Sequence, residues 1–216
     1  MLAIIAAAAA APGAALAAAP MVPIDKAFPY LSAYLRVPAA ERSRFYLVYR
    51  AYRNKKPVSD AKATIIAADG ARTPVGFDRQ GIVTGLPNLA FLKTDAHMEI
   101  DSAPFQMGPE MRCALAPSTH VNVADLALAL AQVNQAVVKL VGALSLVAPK
   151  FTAAYFPDAG GAQAVMADGR TMPLPVFAFP AIGTVSYIEP ATLVGAKSVA
   201  FVRPPSRILL GGHPKT

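Results

Sequence analysis

The chain has 216 residues, of which 55% are apolar, enough to bury a substantial core without help from cross-links. Cys113 is its only cysteine, so an intramolecular disulfide is excluded, and with no tryptophan the chain lacks the ring best suited to stacking on sugars. The formal charge of +7 favours anionic partners without naming one.

The N-terminus reads as a targeting segment. No charged side chain occurs before Asp25, and the alanine-rich run Ala3 to Ala11 is broken by Pro12-Gly13 before Ala14 to Ala19. An apolar stretch ending in small residues fits a cleavable signal, here assigned to residues 1–19, with cleavage after Ala17 or Ala19. Its n-region carries no Lys or Arg. Alanine dominates and Pro12, Gly13, Pro20 and Pro23 interrupt the stretch, which argues against an uncleaved anchor needing about 20 strongly apolar residues. The expected mature chain is exported, to the periplasm or the medium, and has no membrane span.

An internal repeat organises the remainder. Ala68-Asp69-Gly70-Ala71-Arg72-Thr73-Pro74-Val75 returns as Ala167-Asp168-Gly169-Arg170-Thr171-Met172-Pro173-Leu174. Leu92 to Met107 overlies Leu193 to Ile208, matching Met98 with Val199, Ile100 with Phe201 and Pro104 with Pro205. Shared order points to one duplicated unit. The first β-rich unit is placed at 20–121 with a short helix near Lys26 to Val37, limited by Pro29 and Pro38 and carrying Phe28, Leu31, Tyr34 and Leu35. The second is placed at 148–210, followed by a polar tail at 211–216.

Within the first unit, Arg44 to Tyr52 is rich in aromatic and β-branched residues and predicts a strand. Asn54-Lys55-Lys56-Pro57 is turn-forming, and Ala61 to Ala67 reads as the return strand. Asp69-Gly70 then suits a tight type I′ turn. In the second unit Phe151 to Phe156, a turn at Pro157 to Gly161, Ala162 to Ala167 and Asp168-Gly169 repeat this order. Pro173 to Pro190 reads as an irregular loop.

Between the units the spacing of Leu126, Leu130, Val133, Val137, Leu140 and Leu144 predicts a helix over 122–147, with Asn122 as its cap, Asp125 in its first turn and Pro149 beyond its end. Gln132, Asn134, Gln135 and Lys139 make it too polar for a lipid-facing span. The expected fold is α+β: predominantly antiparallel strands from two duplicated units packed with one long central helix. The competing architecture is an all-β sandwich with the helix as an outlier.

Catalytic patterns are thin. There is no Gly-x-Ser-x-Gly elbow, and Ser118-Thr119-His120 offers a hydroxyl and an imidazole without a third group. On a strand, Asp95, His97 and Glu99 would share one face, yet the outer two would stand about 13 Å apart, too far for one metal ion. Asp69 and Asp168 are accounted for by turn chemistry. No metal, cofactor or catalytic residue is predicted, and Cys113 reads as a buried hydrophobe.

One surface remains. On the strand from Arg44, alternation places Arg44, Tyr46, Val48, Arg50 and Tyr52 on one face, while Phe45, Leu47, Tyr49 and Ala51 enter the core. Lys55 and Lys56 follow at the turn. Guanidinium and ammonium groups interleaved with phenol rings can hold carboxylates or phosphates. The expected function is a non-catalytic envelope or secreted binding protein, with Arg44, Tyr46, Arg50, Tyr52, Lys55 and Lys56 contacting an anionic envelope polymer or another envelope protein; export argues against nucleic acid. The alternative is a hydrolase whose site is assembled from distant residues such as His97 and His120.

Overall fold

The computed structural model describes residues 21–101, 104–141 and 150–214. The proposed signal at 1–19 lies outside the described residues, as do Leu144, Pro149 and the end of the tail. The first half runs β1 (Met21–Pro23), α1 (Ile24–Ala27), α2 (Leu31–Arg36), β2 (Phe45–Arg53), β3 (Lys56–Pro57), β4 (Ala63–Ile66), β5 (Arg72–Pro74), β6 (Gly76–Phe77), β7 (Val83–Thr84), β8 (His97–Ile100) and β9 (Gln106–Cys113). The second runs β10 (His120–Asn122), α3 (Val123–Val141), β11 (Ala153–Phe156), β12 (Gln163–Met166), β13 (Thr171–Pro173), β14 (Val176–Phe179), β15 (Gly183–Ile188), β16 (Ala196–Ala200) and β17 (Leu209–Gly211). With 39% strand and 19% helix, and antiparallel pairing, the fold is α+β and β-rich.

Two four-stranded sheets have the same plan, β1-β8-β4-β5 and β10-β16-β12-β13. Their registers agree as well. Met98 of β8 lies between Val22 and Ile65, and Val199 of β16 between Val121 and Ala164. These are the positions that the repeated segments matched. The larger sheet is ordered β14-β15-β11-β17-β9-β2-β3, so β9 and β17 meet at its middle, with Leu209 opposite Arg112. On the first half's side, β7 reaches β2 through the Arg50–Ile82 bridge and the 2.8 Å bond from Ala51 N–H to the Gly81 carbonyl.

Asn54 and Lys55 both have positive φ, 51° and 64°, which is the type I′ geometry that follows strand twist. The turn returns only to β3: Tyr52 pairs with Pro57 and Arg53 with Lys56. β4 is therefore not the return strand of β2; it lies in the four-stranded sheet between β5 and β8. At Asp69-Gly70 only the glycine has positive φ, 83°, so the loop is a three-residue turn ending in a left-handed glycine rather than type I′. Asp69 Oδ1 accepts the Ala71 N–H at 2.9 Å. The predicted loop over 173–190 contains the β14–β15 hairpin instead, because Val176, Phe177 and Phe179 pair with Ser186, Val185 and Gly183 while the prolines stay at the ends. β10 lies inside the span assigned to the first unit yet pairs with β16 of the second.

α3 begins where expected. The Asn122 side chain accepts the Ala124 N–H at 2.9 Å, and Leu126, Leu130 and Val133 are buried. Val137 is only half-buried and Leu140 is exposed, so the apolar stripe leaves the core before the helix ends. The N-terminal helix is split into α1 and α2 by Pro29, which cannot donate to a helix, and by Tyr30 at φ 69°. Ile24, Phe28 and Leu31 pack with Leu47, Tyr49 and Met98 in one core. α3 packs with Phe156, Ile188, Val199 and Phe201 in another, and Tyr34 and Met111 touch both.

Candidate functional site

β2 alternates as its sequence requires: Phe45, Leu47, Tyr49 and Ala51 are buried inward, and Tyr46, Val48, Arg50 and Tyr52 occupy the opposite face. Tyr49 carries its hydroxyl across the core to the Pro29 carbonyl at 2.5 Å, and burial pushes that hydroxyl's pKa upward. The six predicted contact residues do not form one open stripe. Tyr46 is exposed, as are Lys55 and Lys56 at the hairpin tip. Arg44 turns toward α3, where its backbone N–H donates to Gln132 Oε1 at 2.8 Å and its guanidinium lies 3.4 Å from Asp125. Arg50 is only 5% exposed.

Arg50 is covered because it belongs to a cluster assembled across three strands or their flanks. Glu110 on β9 accepts from both sides. Oε1 receives the Tyr52 hydroxyl at 2.8 Å and lies 2.8 Å from Arg50 Nε. Oε2 receives Arg112 Nη2 at 2.7 Å and Nε at 3.1 Å, with Arg207 Nε at 3.6 Å. The Arg50 contact is an ion pair by distance, but the N–H points off the carboxylate, leaving Arg50 Nε without a directed hydrogen bond. Arg50 Nη2 and Arg207 Nε are likewise buried without one.

Burial by itself would raise the Glu110 pKa, but the Arg112 hydrogen bonds and the charges of Arg50, Arg112 and Arg207 outweigh it and hold the carboxyl below its ordinary range. Tyr52 is shifted the other way: burial and the adjoining carboxylate push its phenol upward. Desolvation and the neighbouring guanidiniums lower the Arg207 pKa despite the pull of Glu110.

Beside this cluster the outer face of the seven-stranded sheet opens into a cleft of about 440 Å³. Tyr52, Lys55 and Glu110 form one side, and Tyr155, Phe179 and Leu209 contribute to the other. Phe179 stands edge-on to Tyr155 with ring centroids 5.1 Å apart, so the β14–β15 hairpin presents an aromatic wall. Burial and Glu189 push the Tyr155 phenol up to about 12, and its hydroxyl donates to the Gly212 carbonyl. The cleft thus combines the Lys55 ammonium at its edge, aromatic and aliphatic walls, and the polar pair Tyr52 and Glu110.

Other candidates stay apart. His97 projects from β8 in one four-stranded sheet and His120 lies on β10 in the other. The Ser118 hydroxyl donates to the His120 backbone carbonyl, not to its imidazole. Glu99, suggested beside His97, is ion-paired with Arg72. Cys113 is 3% exposed, and burial pushes its thiol pKa up, which makes it a poor nucleophile at neutral pH.

Sequence patterning missed Glu110, Arg112, Arg207 and Tyr155. The alternating Glu110 and Arg112 carried a usable signal, since both fall on one face of a strand, but their partner across the sheet was not legible locally. No family model, curated protein or solved structure matches the chain.

Proposed function

We propose that the protein is an exported, non-catalytic binding protein that holds an anionic partner on the outer face of the seven-stranded sheet, around the mouth of the cleft. The observation that carries this is the exposed Lys55 ammonium at the edge of an otherwise largely aromatic and aliphatic cleft, with Lys56 beside it. The type I′ turn sets the backbone from which these two side chains extend into solvent. The net charge of +7 adds a long-range attraction for acidic material. An anionic polymer of the envelope, or another envelope protein with an acidic surface, is the partner class that suits an exported chain. Arg44, which is engaged with Asp125 and Gln132, serves the fold rather than the contact.

The test uses the mature chain on immobilised polyacrylate. Changing Lys55→Ser and Lys56→Ser together is expected to move elution to clearly lower salt, because exposed charge pairs are screened within about 8–10 Å at such ionic strengths. Unchanged elution would remove the assignment of this surface. N-terminal sequencing of the protein recovered outside the cytoplasm is expected to begin within Ala18 to Pro20; a retained leader would overturn export by cleavage.

A further inference from the structure

We infer that the cleft and the arginine cluster at its end form one site for a small amphipathic anion: a single carboxylate or phosphate head on an apolar body. The site rests on the anion-binding role proposed for this face and gives it a ligand class.

Three guanidiniums, Arg50, Arg112 and Arg207, surround one buried carboxylate. The next acid, Asp158, is 4.0 Å from Arg207 and its side chain is 66% exposed, so it offsets little of the surplus. Glu110 already takes the Tyr52 hydroxyl, two Arg112 N–H groups and the charges of Arg50 and Arg207. The Arg50 Nη2 and Arg207 Nε donors are nonetheless buried without a hydrogen bond, so this one carboxylate does not satisfy the whole cluster. Buried excess charge of this kind is costly unless an opposite charge completes it.

Glu110 and Tyr52 belong both to this cluster and to the lining of the cleft, so the three guanidiniums lie behind that part of the wall, bonded or ion-paired to its carboxylate. Arg207 is the member held most loosely to Glu110, at 3.6 Å, while its Nη1 donates to Ser206 Oγ at 3.1 Å. Its charge is therefore the one Glu110 neutralises least. The rest of the ligand would lie along Tyr155, Phe179, Ile182 and Leu209, which offer apolar surface and no acid. A volume of about 440 Å³ suits a medium-length chain or a one- or two-ring body.

Isothermal titration of the full mature chain with decanoate, decyl phosphate and neutral decanol, each kept below its aggregation limit, tests the site. At least one of the two anions is expected to bind tenfold or more tightly than decanol, and which one does so identifies the head group. Arg207→Gln is expected to bring the anion to the level of decanol. Ala181→Asp, which puts a carboxylate on the half-buried turn of the β14–β15 hairpin that lines the cleft, is expected to abolish anion binding while the urea midpoint stays close to the parent's. Equal affinity for decanol and both anions, or an Ala181→Asp chain that binds the anion undiminished, would overturn the site. Polyacrylate retention separates the two proposals: retention without amphiphile binding removes this site and leaves the anionic surface, whereas amphiphile binding with unaltered retention in the Lys55/Lys56 variant does the reverse.

Discussion

Tyr52 lies across Gly108: a β-carbon added to Gly108 would stand 2.9 Å from the ring's Cε2 atom. Gly108 faces Arg50 in the register of β2 and β9, so the glycine leaves room for the phenol to cross the strand and reach Glu110. The same arrangement recurs in the second half. Tyr155 lies over Gly211, with the corresponding distance 3.0 Å, and Gly211 faces Ala153.

Gly108→Ala is therefore expected to displace the Tyr52 ring and weaken its bond to Glu110. Overpacking at a well-filled site costs roughly 1–3 kcal/mol. Urea unfolding at neutral pH should show a midpoint lowered accordingly, and the Gly108→Ala, Tyr52→Phe double variant should lose less than the sum of the single changes because both act on one contact. Simple addition of the two losses would mean the ring and the glycine are not coupled.

Glu110→Gln is expected to be more damaging, since it leaves three guanidiniums facing one another without a carboxylate. Removing one partner of a buried pair typically costs about 3–5 kcal/mol. The pH dependence has a definite sign. Glu110 has its folded pKa held below the ordinary range, so its contribution is fully present above about pH 4.3, the value for an unperturbed glutamate, and is lost as pH falls through the lower folded value. Urea midpoints of the native and Glu110→Gln chains should be well separated at pH 7 and should converge on acidification below that point. A separation that does not narrow as the pH falls below about 4.3 would show that charge is not what Glu110 supplies.

The same cluster explains how far the sequence could be read. The inward and outward residues of β2 followed from alternation, and the turn at Asn54-Lys55 from its composition. The burial of Arg50 did not, because it depends on Glu110 in β9 and on Arg207 just before β17, and no local pattern announces such a meeting. Likewise Ala61 to Ala67 was visible as a strand but not its sheet, since adjacency in sequence suggested β2 while the register set it between β5 and β8. The repeat carried the longer-range information. Matching Met98 with Val199 anticipated that both would occupy the same place in two sheets of one plan.

Asn122 offers a local test of helix entry. Its side chain meets the Ala124 N–H, one of the donors that no carbonyl within α3 can satisfy. Asn122→Ala is expected to cost about 0.5–2 kcal/mol, measured as a lower urea midpoint, while Asn122→Ser should recover most of it because a serine hydroxyl caps as well. An alanine variant as stable as the parent would show that Asp125 or solvent suffices.

Gly70 and Gly169 test the equivalence of the two halves directly. Both turns place the glycine at positive φ, 83° and 84°, and in neither case does an added β-carbon meet any atom within 4 Å. The penalty for alanine is therefore backbone strain alone, about 1–2 kcal/mol for a left-handed residue with a side chain. The surrounding bonds also match. Gly70 N–H donates to the Ala67 carbonyl at 2.9 Å and Gly169 N–H to Met166 at 3.1 Å, while Asp69 and Asp168 each accept from the residue two positions on. Gly70→Ala and Gly169→Ala should accordingly lower stability by the same amount within about 0.5 kcal/mol, and the double variant by their sum, because the turns share no partner. Unequal losses in urea unfolding would mean that two turns with the same geometry carry different loads, and that the halves, alike in topology, do not contribute alike to the stability of the whole.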